Sequence, residues 1–143
     1  MATPGWFDGF AVQDFAVNGT RIHARVPRTP RAGRPVLLLL HGFPQSHVLW
    51  HRVALALQDQ FYLVMPDLRG YGDSAKPAGL PDHSNYSKRT LAADMVAVMD
   101  ALGIERFGVC GHDRGGRVAH RLAVDHPERV QGLCVIDIAP TLD

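Results

Sequence analysis

The segment Gly111-His112-Asp113-Arg114-Gly115-Gly116 sets an aspartate between glycines two positions away on either side. An apolar, strand-like run (residues 106–110) precedes it and a helix-like run (117–125) follows. This is the spacing of a nucleophile elbow, a sharp strand-to-helix turn that lifts its middle side chain clear of the backbone and leaves no room for bulky neighbours. A serine there attacks acyl carbon. A carboxylate attacks alkyl carbon, which narrows the chemistry. The competing reading of Asp113 is an N-cap, since aspartate ahead of a helix satisfies free backbone amides. The symmetric glycines favour the nucleophile, and the helix N-terminus keeps the carboxylate ionised.

His41-Gly42-Phe43-Pro44 comes directly after the apolar run 36–40. In elbow hydrolases this position supplies one of two backbone amides that hold developing negative charge, and the residue after the nucleophile supplies the other. The N–H groups of Phe43 and Arg114 are therefore the expected oxyanion donors. Alone, His-Gly after a strand is a tight turn. Arg114 and Arg117 lie about one helical turn apart and project to one side. An anionic nucleophile repels an anionic substrate by about 4 kcal/mol at ~4 Å and an effective dielectric near 20. Two guanidinium forks gripping a substrate carboxylate would offset that repulsion and orient the reacting carbon. The alternative for both arginines is an ordinary ion pair.

Asp137 follows the last predicted strand. There it either orients a water-activating histidine or forms a turn before Ala139-Pro140. No histidine is a clear base. His120 and His126 lie too far along the helix after the elbow, His41, His47 and His51 precede it, and His112 is expected to pack behind it. Asp67, within Pro66-Asp-Leu-Arg-Gly-Tyr-Gly-Asp-Ser74, is expected to brace its own loop. Metal-ligand spacing and a phosphate-binding glycine loop are both missing, so the reading calls for no cofactor and no metal.

The elements that position these residues read as follows. Residues 10–17 and 20–26 flank Asn18-Gly19, a hairpin signature. Residues 36–40, 62–65, 106–110 and 130–136 read as strands. Residues 47–58 and 88–102 read as helices, the second capped by Ser87 and stopped by Gly103. A long loop spans 66–81, and long loops in compact domains are often functional. After the hairpin, strands and helices alternate, which predicts an α/β fold with a mostly parallel sheet and helices on both faces.

At 143 residues, 46% hydrophobic and 20% charged, the chain has the length and composition of one globular domain. A formal charge of +1 provides no general field for nucleic acid or membrane. Cys110 and Cys134 fall in predicted strands and are expected to be buried thiols. The start has no signal-peptide pattern and no apolar run is long enough to span a bilayer, so a cytoplasmic, soluble protein is expected.

Taken together, His41-Gly-Phe-Pro-Gln45, the Pro66–Ser74 loop, Gly111-His-Asp-Arg-Gly-Gly-Arg117 and Asp137-Ile-Ala-Pro140 resemble the α/β-hydrolase superfamily. Within it they are similar to the aspartate-nucleophile branch of haloacetate (fluoroacetate) dehalogenases and epoxide hydrolases. Epoxide hydrolases and haloalkane dehalogenases usually carry tryptophan where this chain has Arg114. The resemblance therefore implies a fluoroacetate dehalogenase-like enzyme. Arg114 and Arg117 would hold the carboxylate of a 2-haloacid, Asp113 would displace halide to form an aspartyl ester, and Asp137 would be the acid of a histidine–acid pair that hydrolyses the ester to a 2-hydroxy acid. It also implies that residues 1–143 correspond to the amino-terminal half of the core domain, truncated after the sixth strand. The cap, the later strands and the catalytic histidine have no counterpart here. The chain alone is accordingly expected not to turn over. An epoxide hydrolase and a non-catalytic hydrolase-fold fragment are the alternatives, and a homodimer is left open for the full-length parent.

Overall fold

The computed structural model describes residues 5–139. Residues 1–4, part of the stretch read for a signal peptide, and Pro140, read as part of the Asp137 turn, lie outside the described residues.

Strands β1 (Phe10–Val17) and β2 (Thr20–Pro27) form the expected antiparallel hairpin. Asn18 and Gly19 both take positive φ, 50° and 72°, as a type I′ turn demands. Four further strands follow: β3 (Val36–Leu40), β4 (Tyr62–Pro66), β5 (Phe107–His112) and β6 (Val130–Ile136). The sheet order is β1-β2-β4-β3-β5-β6, with β2 antiparallel to β4 and the last four strands parallel.

Three helices cover the two faces. Ahead of the first, Ser46 caps a 3-10 turn (His47–Trp50), which leads into α1 (His51–Leu57). The sequence reads as one helix over 47–58. The first turn winds tighter, as helix starts often do, and the His47 N–H is taken by Asp67 at 2.7 Å. Helix α2 (Lys88–Ala101) begins at Ser87, whose hydroxyl accepts the Thr90 N–H at 3.1 Å. Helix α3 is Arg114–Asp125, starting at the elbow itself and not at Arg117 as expected, because Gly115 and Gly116 are drawn into its first turn.

The apolar strand β3 shows why both faces must be covered. Leu38 and Leu40 pack with Leu91, Met95 and Val98 of α2 and with Val118 and Leu122 of α3. Leu39, on the opposite face, packs with Trp50, Ala54, Leu63, Met65 and Cys110. This is the two-sided burial expected of a central parallel strand. One expectation fails at the sheet margin: Cys134 is exposed. It pairs across the ladder with buried Cys110, but β6 is the last strand of the sheet and its neighbour Val135 takes the side facing α3. Burial and the nearby Cys134 push the Cys110 thiol up to about 12, so it is inert as a nucleophile.

The loop after β4 is tied to α2 by a buried ion pair. Arg69 donates to Asp94 through Nε at 2.9 Å and Nη2 at 2.8 Å, and Asn18 Nδ2 adds a third bond to Asp94 at 2.7 Å. Asp94→Ala should strand a buried guanidinium and cost about 3–5 kcal/mol. The expected reading is a lower urea midpoint at unchanged slope. A midpoint equal to wild type would show that the pair carries no stability.

Candidate active site

Strand order reverses at β3: β4 lies on one side of it and β5 on the other. The chain leaves the carboxyl ends of β3 and β5 side by side, with Leu40 opposite Gly111. Open α/β sheets bind their ligands at such a switch point. The two loops that depart from it carry Phe43 and Asp113.

The elbow is as cramped as its glycines imply. A Cβ on Gly111 would run into the backbone of Gly115 and Gly116, and one on Gly115 into the carbonyl oxygens of Leu40 and His41. Asp113 sits at φ 54°, ψ −122°, a conformation that costs a non-glycine residue on the order of 1–3 kcal/mol. Its side chain makes no capping bond to α3, so the N-cap reading fails. Instead Oδ2 accepts the Phe43 N–H at 3.0 Å. The hydrogen bond from the Phe43 amide, and then the adjacent Arg114 amide, hold the Asp113 carboxyl below its ordinary 3.8, outweighing the opposing effect of burial. The Phe43 amide, one of the two expected oxyanion donors, is thus already on the carboxylate.

Arg114 is exposed, with its guanidinium 4.6 Å above the Phe43 ring and Nη1 donating to the Tyr71 hydroxyl at 3.4 Å. Arg117 is also exposed, one turn further along α3. Neither arginine forms an ion pair with an acid among the described residues, which argues against the structural alternative. A third cation, which the sequence reading missed, belongs to the same neighbourhood. Half-buried Lys88, at the start of α2, has its amine lowered by burial and then by the charges of Arg114 and Arg117, while Asp113 opposes that shift. Twenty-five residues separate Lys88 from Asp113, and no local spacing signals the meeting.

Asp137 directly follows β6, at φ 61°, with its side chain 86% exposed. The Asp113 N–H donates to the Ile136 carbonyl at 3.1 Å, which brings the two aspartates to neighbouring strand ends. The nearest histidine to Asp137 is His112, with Nε2 3.9 Å away, too far for a hydrogen bond. Gln45 Oε1 accepts the Gly42 N–H at 3.3 Å, so the His112 Nδ1 facing the same oxygen at 3.1 Å must be the donor.

His41 is fully buried and serves structure. Its Nε2 accepts the Leu68 N–H at 3.0 Å, which leaves Nδ1 protonated and donating to the Gly42 carbonyl at 2.9 Å. Burial lowers its pKa, consistent with a neutral ring. Asp67 braces its loop as expected, and does more. Oδ1 accepts both the N–H and Nδ1 of His47, at 2.7 and 2.8 Å, while Oδ2 accepts the Asp73 N–H at 2.9 Å. These bonds bring its pKa to about 2 despite burial. His23, Asp67 and Asp73 place one ligand-type atom each within 4.8 Å of one another. His23 is already engaged by Asp14 at 2.9 Å and Asp67 by His47 and Asp73, so the cluster reads as loop scaffolding.

Comparison with known proteins agrees with this geometry. The family described as alpha/beta hydrolase fold matches residues 35–143. A fluoroacetate dehalogenase from Burkholderia sp is 57% identical over 107 residues, 75% of this chain and 35% of that protein. A soluble epoxide hydrolase from Corynebacterium sp. is 43% identical over 126 residues, 88% of this chain and 41% of that protein. The crystal structure of ALR0039 from Nostoc sp PCC 7120 superposes with a TM-score of 0.88 at 51% identity, covering 94% of this chain and 45% of that one. The chain therefore spans less than half the length of each of these relatives. No helix among the described residues is long and apolar enough to cross a membrane. With a matching family over most of its length, a topological switch point at β3 and an elbow of the required geometry, the chain belongs to the α/β hydrolase family.

Proposed function

We propose that Asp113 is the nucleophile of a 2-haloacid dehalogenase and that Arg114 and Arg117 receive the substrate carboxylate. The observation that carries this reading is an ionised elbow carboxylate followed, on the next helix, by two exposed guanidiniums, neither ion-paired with an acid among the described residues. A carboxylate attacking an anion needs such a pair, and a neutral epoxide does not. The likeness to a fluoroacetate dehalogenase supports the same choice.

In the first step an Asp113 carboxylate oxygen attacks the halogen-bearing carbon from behind. The carbon–oxygen bond forms as the carbon–halogen bond breaks, and halide leaves with the electron pair. Oδ2, which Phe43 already holds, becomes the ester carbonyl oxygen. When water adds to Cγ, negative charge collects on that atom and the Phe43 and Arg114 amides stabilise it. Collapse releases the 2-hydroxy acid and returns the carboxylate, which now carries the oxygen of water. The second step needs a base at the ester. Among the described residues no histidine is hydrogen bonded to Asp113, and Asp137, just past the end of the neighbouring strand, is the carboxylate we assign to orient one. We expect residues 1–143 alone to stop at the ester.

The test is mass spectrometry with peptide mapping after incubation with chloroacetate, run beside styrene oxide. One carboxymethyl group on Asp113 is expected, accumulating without turnover. Mapping is needed because the exposed Cys134 thiol can also be alkylated. A hydroxyalkyl adduct from styrene oxide and none from chloroacetate would transfer the assignment to epoxide opening, the activity named for the Corynebacterium relative.

A further inference from the structure

The 66–74 loop is conspicuous in the sequence, yet the chemistry above does not use it. Its Tyr71 contacts both Arg114 and Phe43. We propose that Tyr71 is a positioning residue that holds the Arg114 guanidinium over Phe43, in the orientation that receives the substrate carboxylate; this rests on the role given to Arg114 above.

Three contacts converge on Tyr71. Its hydroxyl accepts from Arg114 Nη1 at 3.4 Å, its ring meets Phe43 edge-on at 6.4 Å, and it meets His41 edge-on at 5.2 Å. Phe43 in turn lies under the same guanidinium. One aromatic pair therefore contacts Arg114 from two directions, and the residue whose N–H holds Asp113 belongs to it. An exposed arginine otherwise samples many rotamers, and freezing it costs entropy when substrate binds. A guanidinium already seated on an aromatic face has met much of that cost.

The loop is built as a stiff mount for this ring. Gly72 has φ +53°, and a Cβ there would strike the Asp67 carboxylate, which reaches across to the Asp73 N–H. The Ser74 hydroxyl donates to the Asp67 carbonyl at 2.6 Å and accepts the His23 N–H at 2.9 Å. The Tyr71 N–H donates to the Leu68 carbonyl at 2.9 Å, and the Tyr71 carbonyl accepts the Ser74 N–H at 3.1 Å. Leu68 is bound through its own N–H to His41. Asp67, Leu68 and Ser74 are each about 1% exposed. Buried on one side and presenting Tyr71 on the other, the loop transmits its rigidity to Arg114.

The experiment compares wild type with Tyr71→Phe, which keeps the ring, and Tyr71→Ala, which removes it. Glycolate serves as an unreactive carboxylate probe, glycolamide as its neutral counterpart, and nitrogen-15 relaxation reports the mobility of the Arg114 guanidinium. Tyr71→Phe should melt with wild type, loosen Arg114 and weaken glycolate about 3–10-fold without changing glycolamide. Tyr71→Ala should weaken glycolate further. If the protein forms the Asp113 ester, Tyr71→Phe should raise the chloroacetate concentration for half-maximal rate and leave the maximal rate nearly unchanged. Equal glycolate affinity and equal Arg114 mobility in all three proteins would overturn the proposal. Loss of the ester with retained glycolate and mobility effects would sink the nucleophile assignment and leave Tyr71 in place.

Discussion

Asp113→Asn should abolish carboxymethylation at the elbow, by at least on the order of 10⁴-fold in rate, while the protein stays folded. Losing the nucleophile of a covalent mechanism removes the step and does not merely slow it. Asparagine suits the site because it tolerates positive φ and its carbonyl oxygen can still accept the Phe43 N–H. The pH dependence of the wild-type reaction provides the companion measurement. The folded-state pKa of Asp113 is depressed, with the Phe43 and Arg114 amides as leading causes. The reactive carboxylate is therefore fully present above the ordinary 3.8 and is lost only as pH falls through a lower value. The rate of ester formation should fall to half only at a pH below the 3.8 of an ordinary aspartate, and less of it should be lost at pH 4 than for a normal carboxylate. A half-point above 3.8 would show that the amides do not hold the carboxylate in the working protein. Unchanged labelling in Asp113→Asn would remove the nucleophile assignment altogether.

Replacing Arg114 and Arg117 together by glutamine should lower the second-order rate with chloroacetate by roughly 10³-fold. Each charge-assisted contact to a carboxylate is worth about 1.5–3 kcal/mol, and the repulsion that the pair offsets is about 4 kcal/mol. Each single replacement should lose about 10–100-fold. The two effects need not add, because neighbouring charges that share one anion are coupled. The diagnostic control is chloroacetamide, which lacks the anion and should react with Asp113 at a similar rate in wild type and variants. The backbone N–H of residue 114 survives both substitutions, so the oxyanion donors are not disturbed. A parallel loss with both reagents would mean that the arginines shape the elbow without binding the carboxylate.

How far the site was legible in the sequence depends on sequence distance. The elbow is a local object. Gly111 and Gly115 are dictated by backbone clashes within a few residues or with the adjacent strand, and the aspartate between them can be read from spacing alone. The alternating strands and helices are local as well, since Leu38 and Leu40 against Leu39 require both faces of β3 to be covered. The burial of Cys134 was misjudged because an apolar strand at the sheet margin looks like one at its centre. The tight turn ahead of α1 and the first turn of α3 differ from that reading because the Asp67 bond to the His47 N–H and the close backbone contacts of Gly115 overrule propensity.

From the chain itself follow the fold class, the elbow with Asp113 at its tip and the pairing of two arginines one turn apart, because each depends on residues close in sequence. Tertiary structure alone decided that the Phe43 amide reaches Asp113 from seventy residues away, that the Lys88 amine feels the charges of Arg114 and Arg117, and that Tyr71 and Phe43 together contact Arg114. These meetings follow from the reversal of strand order at β3, which sets the loops after β3, β4 and β5 at neighbouring strand ends. A linear pattern records what each loop carries, but only the packed sheet brings their tips within hydrogen-bonding distance.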